Sequence, residues 1–139
     1  MSDLIRQFSA PWYTQTSPGV TPGFIFAENG NVGVNKFLRV GSASSGLTGF
    51  PIYGKNRLVQ LRISNSSNVS SDTTIQLYER TGESTFSAIQ DAAITILTGS
   101  YEAQKAFDLT LTDNVELSAK VVSGSLSNPV LNVFLMPGI

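Results

Sequence analysis

Apolar and polar residues alternate with a period of two along three consecutive runs, 106–112, 115–122 and 129–136. In the first, Phe107, Leu109 and Leu111 alternate with Asp108, Thr110 and Thr112; in the second, Val115, Leu117, Ala119 and Val121 alternate with Glu116, Ser118 and Lys120. Successive side chains of a strand point to opposite faces, so each run buries one face and wets the other. The third run differs. Leu131, Val133 and Leu135 share one face, and Val130, Phe134 and Met136 share the other with Asn132. A strand apolar on both faces lies in the middle of a sheet or has its second face covered by another chain. Asp113-Asn114 and the polar stretch from Ser123 to Asn128 supply the turns between these runs.

The same pattern continues upstream. Residues 24–26 predict a short strand, followed by the turn signal Glu28-Asn29-Gly30-Asn31. In 35–41, Phe37 and Arg39 fall on one face and Leu38 and Val40 on the other. Residues 50–53 predict an edge strand, because Pro51 lacks the N–H that a central strand needs. In 57–64, Val59, Leu61 and Ile63 alternate with Gln60, Arg62 and Ser64; in 73–80, Ile75 and Leu77 point inward and Thr74, Gln76 and Tyr78 outward. Residues 85–97 fit two periods. Phe86, Ile89, Ala93 and Leu97 form a helical stripe, whereas Ile94, Ile96 and the neighbouring threonines favour extended structure, which is the reading adopted.

Residues 1–23 show no period. Pro11, Pro18 and Pro22 push Ala10, Ser17 and Thr21 towards extended backbone, and residues 3–8 have room for one helical turn. This stretch carries the sole tryptophan, Trp12, beside Pro11 and Tyr13, together with Leu4, Ile5 and Phe8. So much apolar surface is costly to leave in water, which points to an arm docked on a neighbouring chain. Docking onto its own domain and a loose tail are the alternatives. The chain thus divides into an extended N-terminal arm, 1–23, and a domain, 24–139. Roughly eight strands at spacings of about 8 to 12 residues, with polar turns between them, predict an all-β antiparallel sandwich. An immunoglobulin-like sandwich would place a tryptophan in an inner strand, and here the tryptophan lies outside the domain. A jelly-roll sandwich of two four-stranded sheets fits the count, with 130–136 in the middle of its sheet.

Composition narrows the chemistry. The chain has no cysteine and no histidine, which removes thiolate sites, the commonest general base and the commonest metal ligand. Nine basic and ten acidic residues give a net charge of −1, without the basic excess by which nucleic-acid binders neutralise phosphates. Only 14% of residues are charged, well under the roughly one quarter usual in globular domains. Ser, Thr, Asn and Gly take their place, as on many β-rich extracellular and virion surfaces. No apolar run is long enough to span a bilayer, so no membrane partner is expected, and residues 1–20 lack the apolar core of a signal peptide. The sequons at Asn65 and Asn68 are therefore read as loop chemistry.

Asp72, Glu79, Glu83, Asp91, Glu102, Asp108, Asp113 and Glu116 are scattered singly, most of them on outward strand positions. A glycosidase needs two carboxylates across one cleft, and a calcium loop needs them clustered, so neither an enzyme nor a bound cofactor or metal is expected. Gly30-Asn31-Val32-Gly33 and the loop 41–49 lack the spacing and the lysine of a phosphate loop. Tyr53, Tyr78 and Tyr101 fall at loops or outward faces, where flat rings suit sugar binding, with cross-strand or interface packing as the plainer role.

The Ser/Gly loop, then Lys55-Asn56-Arg57-Leu58-Val59-Gln60-Leu61, then residues 114–125 (Asn-Val-Glu-Leu-Ser-Ala-Lys-Val-Val-Ser-Gly-Ser) and Asn128-Pro129-Val130 resemble small jelly-roll structural proteins of tailed bacteriophages. These are the decoration (cement) proteins of the head and related knob or fibre domains. The resemblance spans about residues 24–136 as a pattern. It implies a virion protein, made in the host cytoplasm, that sits as a homotrimer on the capsid surface and fastens to the major capsid protein through a terminal segment. On this reading the arm contacts are Leu4, Ile5, Phe8, Pro11, Trp12 and Tyr13, and Val130, Phe134 and Met136 form the oligomer interface. The alternative is a receptor- or glycan-binding knob of a tail or head fibre, using Tyr53, Tyr78 and Tyr101 against a host glycan.

Overall fold

Every regular element of the structure, a computed structural model that describes residues 23–42 and 46–137, is a β-strand. The strands are β1 (Phe24–Ala27), β2 (Asn31–Val32), β3 (Arg39–Val40), β4 (Phe50–Pro51), β5 (Asn56–Ser64), β6 (Thr73–Arg80), β7 (Phe86–Ile96), β8 (Glu102–Thr110), β9 (Glu116–Ser123), β10 (Leu126–Ser127) and β11 (Val130–Pro137). The expected arm lies outside the described residues except for Gly23.

Three of these are two-residue accessories, β2, β3 and β10. The eight principal strands pair in a nested series, all antiparallel: first with last (β1–β11), second with seventh (β4–β9), third with sixth (β5–β8) and fourth with fifth (β6–β7). Rolling one long hairpin into two layers gives this order, which is the jelly roll expected from the sequence. One layer has the order β3-β1-β11-β5-β8 and the other β4-β9-β6-β7, with β10-β2 as a separate ribbon. β11 is central, as its two apolar faces predicted. The expected pair of four-stranded sheets needs correction, because β3 adds a fifth strand beside β1. The run 35–41 is not one strand: Phe37 bridges to Lys120 of β9, and two residues later β3 pairs with β1, so the chain crosses between layers.

The core fills the space between the layers. Phe26, Leu38, Leu58, Leu61, Ile63, Ile75, Leu77, Ile96, Leu117 and Leu131 are fully buried. On one side Phe24 of β1 stacks on Phe50 of β4, with centroids 4.0 Å apart and planes 17° from parallel, which seals the two sheets together. On the other side Lys105 of β8 donates to the Ala93 carbonyl of β7.

Two irregularities shift the expected faces. A bulge between Leu58 and Gln60 makes Leu58 the inward residue in place of Val59, which is left half-buried. In β7, residues 89–92 stand opposite Leu77 alone, with Asp91 at φ 67°. The Gln76 amide donates to the carbonyls of Ile89 (2.7 Å) and Ala92 (3.2 Å), pinning this wide bulge. The bulge also explains why 85–97 imitated a helical period.

Two turns use one device. Asn114 Oδ1 accepts from the Gly54 N–H at 2.8 Å while the Asn114 N–H donates back to the Gly54 carbonyl, and Asn128 does the same with Gly30. All four residues have positive φ, which asparagine and glycine tolerate better than other residues.

Candidate functional site

Outward-facing residues of the two sheets offer different chemistry. On the five-stranded sheet, Val130, Phe134 and Met136 lie along the outer face of β11, each half-buried, opposite Ser64, Gln60 and Arg57 of β5. Ile25 of β1 stands beside them, opposite Asn132. Charged pairs flank this apolar centre. Arg57 meets Asp108 at 3.0 Å and Arg62 meets Glu102 at 3.5 Å on the β5–β8 side, and Arg39 meets Glu28 at 3.2 Å beyond β1. Arg57 also donates from Nη2 to the Met136 sulfur, and its Nε is buried with no partner among the described residues. An apolar centre with a charged rim is the layout of a protein–protein interface. Gly23 sits at the edge of this face, where any Cβ would overlap the Val133 carbonyl and touch the Phe134 ring.

The three tyrosines do not form one platform. Tyr53 is 80% exposed at the end of the sandwich held by the Gly54–Asn114 clamp. Tyr101 is 52% exposed beside β8 at the opposite end, where its carbonyl accepts from the Asn65 N–H. Tyr78 lies on the outer face of the four-stranded sheet, opposite Ser118 of β9 and Ala88 of β7. Its neighbours there are Phe37, Phe86 and Lys120, a grouping that no single stretch of sequence carries.

Most of the carboxylates are held one at a time. Besides the pairs above, Glu116 meets Arg80 at 3.5 Å and Glu79 accepts from the Thr112 hydroxyl. Among the described residues no three Asp or Glu side chains gather where they could hold a metal ion. Asn65 is buried, with Nδ2 donating to the Ser67 carbonyl and Oδ1 accepting from the Ser127 N–H, so its amide is structural.

Asp72 ties the β5–β6 loop to the β7–β8 turn. Its Oδ1 accepts from both the backbone N–H and the hydroxyl of Thr98, each at 2.8 Å. These bonds, the backbone one foremost, hold the Asp72 carboxyl below the ordinary aspartate range. A depressed carboxyl pKa contributes order above the unfolded value and loses it as pH falls through the folded value. The Thr98 amide is therefore expected to shift on acidification with a midpoint below that of a free aspartate, followed by NMR. A midpoint at or above the free value would show that the tie is not formed in solution.

Similar solved structures include the globular domain of zebrafish complement 1qA protein, at 10% identity over 86% of this chain and 98% of that one, with a TM-score of 0.51. They also include the PRD1 vertex protein P5, at 11% identity over 86% and 99%, with a TM-score of 0.47. The likeness to the complement domain is one of fold alone. No family model matches the chain, and no curated protein does.

Proposed function

We propose that the chain is a bacteriophage virion structural protein, a capsid decoration protein that trimerises through the outer face of its five-stranded sheet. The single observation that carries this reading is that face. Val130, Phe134, Met136 and Ile25 form its apolar centre, Arg39–Glu28, Arg57–Asp108 and Arg62–Glu102 form its rim, and the buried Arg57 Nε awaits an acceptor. A second copy supplies what both features lack: apolar cover and a carbonyl or carboxylate for the guanidinium. The resemblance of residues 24–136 to phage jelly-roll proteins supports the virion setting.

The arm, residues 1–23, is the fastening to the major capsid protein. The test is to add the purified chain to bare capsids and count bound copies by mass. Binding in multiples of three, lost when residues 1–22 are removed, is the expected result. Single copies distributed at random, or binding that survives removal of the arm, would overturn it.

A further inference from the structure

Four distant segments meet on the outer face of the four-stranded sheet. Phe37 is bridged to Lys120 of β9, Tyr78 comes from β6, and Phe86 opens β7. The Phe37 ring lies 6.0 Å from Tyr78, edge-on at 73°, and 5.1 Å from Phe86 at 47°. Lys120 Nζ stands 4.4 Å from the Tyr78 centroid and 5.5 Å from that of Phe37.

Charge around this lysine is incomplete. Arg39, Arg57, Arg62 and Arg80 each pair with a carboxylate, whereas Lys120 has neither a carboxylate within 4.0 Å nor a hydrogen-bond acceptor among the described residues. Lys36, Lys55 and Lys105 are exposed, whereas Lys120 is half-buried with its ammonium set against two ring faces. A second group nearby is also unsatisfied. Ser118, on the same face of β9 and opposite Tyr78, is fully buried, and its Oγ has no partner. A native buried hydroxyl without a protein partner points to a water or a ligand group.

We infer that Lys120, Phe37, Tyr78 and Phe86 form a binding site for an acidic sugar, a pyranose bearing one carboxylate. One ammonium fits one carboxylate, and Phe86, 37% exposed beside Phe37, offers a ring face to the C–H face of a pyranose. Beside them the Thr74–Thr95 hydroxyl pair, at 2.7 Å, suits hydroxyl groups, and Arg80, opposite Phe86, is already paired with Glu116 at 3.5 Å. An extended acidic peptide fits less well. It would pair with the sheet edge at β7, and there residues 89–92 bulge out and break the row of backbone groups. This site lies on the sheet opposite the proposed self-association face, so its failure leaves the trimer reading untouched.

The test titrates the full-length chain with tetragalacturonate and with the same oligomer methyl-esterified, following ring and lysine signals by NMR. The acid form is expected to shift Phe37, Tyr78, Phe86 and Lys120, and the ester to bind at least about tenfold more weakly. Lys120→Met should weaken the acid form by about tenfold or more, and Phe86→Ala should weaken both forms. Melting temperatures of both variants confirm that they fold, and Lys105→Met, whose lysine lies over Phe107 at 5.1 Å, should change nothing. Equal binding of acid and ester, full binding by Lys120→Met, tighter binding of a glutamate-rich peptide, or no shift at about 10 mM oligomer would each overturn the inference.

Discussion

Phe134→Asp is expected to leave the domain folded and to abolish its self-association. Phe134 sits on β11, the middle strand of its sheet, with Val130 and Met136 along the same outer face. In the proposed trimer each copy brings one such residue to the shared interface, so the substitution places three carboxylates in its apolar centre, opposite Gln60 rather than Arg57. An unpaired charge buried in this way costs about 3–5 kcal/mol, two to three and a half orders of magnitude in association. The monomer loses little, because the core lies on the other face, around Leu131, Val133 and Leu135. Sedimentation at tens of micromolar, with thermal unfolding alongside, separates these effects. Phe134→Leu, which keeps the apolar contact, should still associate. A wild-type chain that stays monomeric, or a Phe134→Asp chain that remains trimeric, would remove the five-stranded face as the interface.

Strands whose inward positions alternate without a break were legible from period alone. β6 was read at its observed bounds, and β9 and β11 to within a residue at each end, because their inward sets, such as Ile75 and Leu77 or Leu117, Ala119 and Val121, never break step. Period misleads where inserted residues change which side chain turns inward. The bulge at Leu58 to Gln60 moves Leu58 into the core in place of Val59, and the longer bulge at 89–92 mixes two periods in β7. Two-residue strands such as β3 hold too few side chains to show a period. Asn114 and Asn128 were legible as turn residues, but their partners Gly54 and Gly30 lie far away in sequence.

Candidate surfaces divide along the same line. Val130, Phe134 and Met136 belong to one strand, so one stretch of sequence displays the stripe. Phe37, Tyr78, Phe86 and Lys120 come together only through the nested strand order, and Tyr78 was the single member that pattern singled out. Arg57 carries both kinds of information. Its place on β5 follows from alternation, whereas its contacts with Asp108 of β8 and Met136 of β11 depend on register.

Trp12→Ala is expected to weaken attachment to the capsid by at least about 2 kcal/mol, near thirtyfold, while the melting temperature of the free chain stays the same. Tryptophan is the side chain most enriched where interface energy concentrates, and Pro11 before it limits the freedom lost on docking. Phe26, Leu61, Leu77, Leu117 and Leu131 pack against one another in the core of the sandwich, which is why the melting temperature is expected to hold. Tyr13→Ala should do less, and Tyr53→Ala nothing, because the Tyr53 side chain is exposed at one end of the domain. The arm joins the domain at Gly23, against Val133 and Phe134, so the measurement must also distinguish anchoring from self-association. Capsid binding, sedimentation and unfolding of the same variant make that distinction. Lost capsid binding by a chain that is still trimeric and equally stable supports the anchor. A Trp12→Ala chain that falls apart into monomers would place the arm on a neighbouring copy instead, and one that unfolds more easily would place it on its own sandwich.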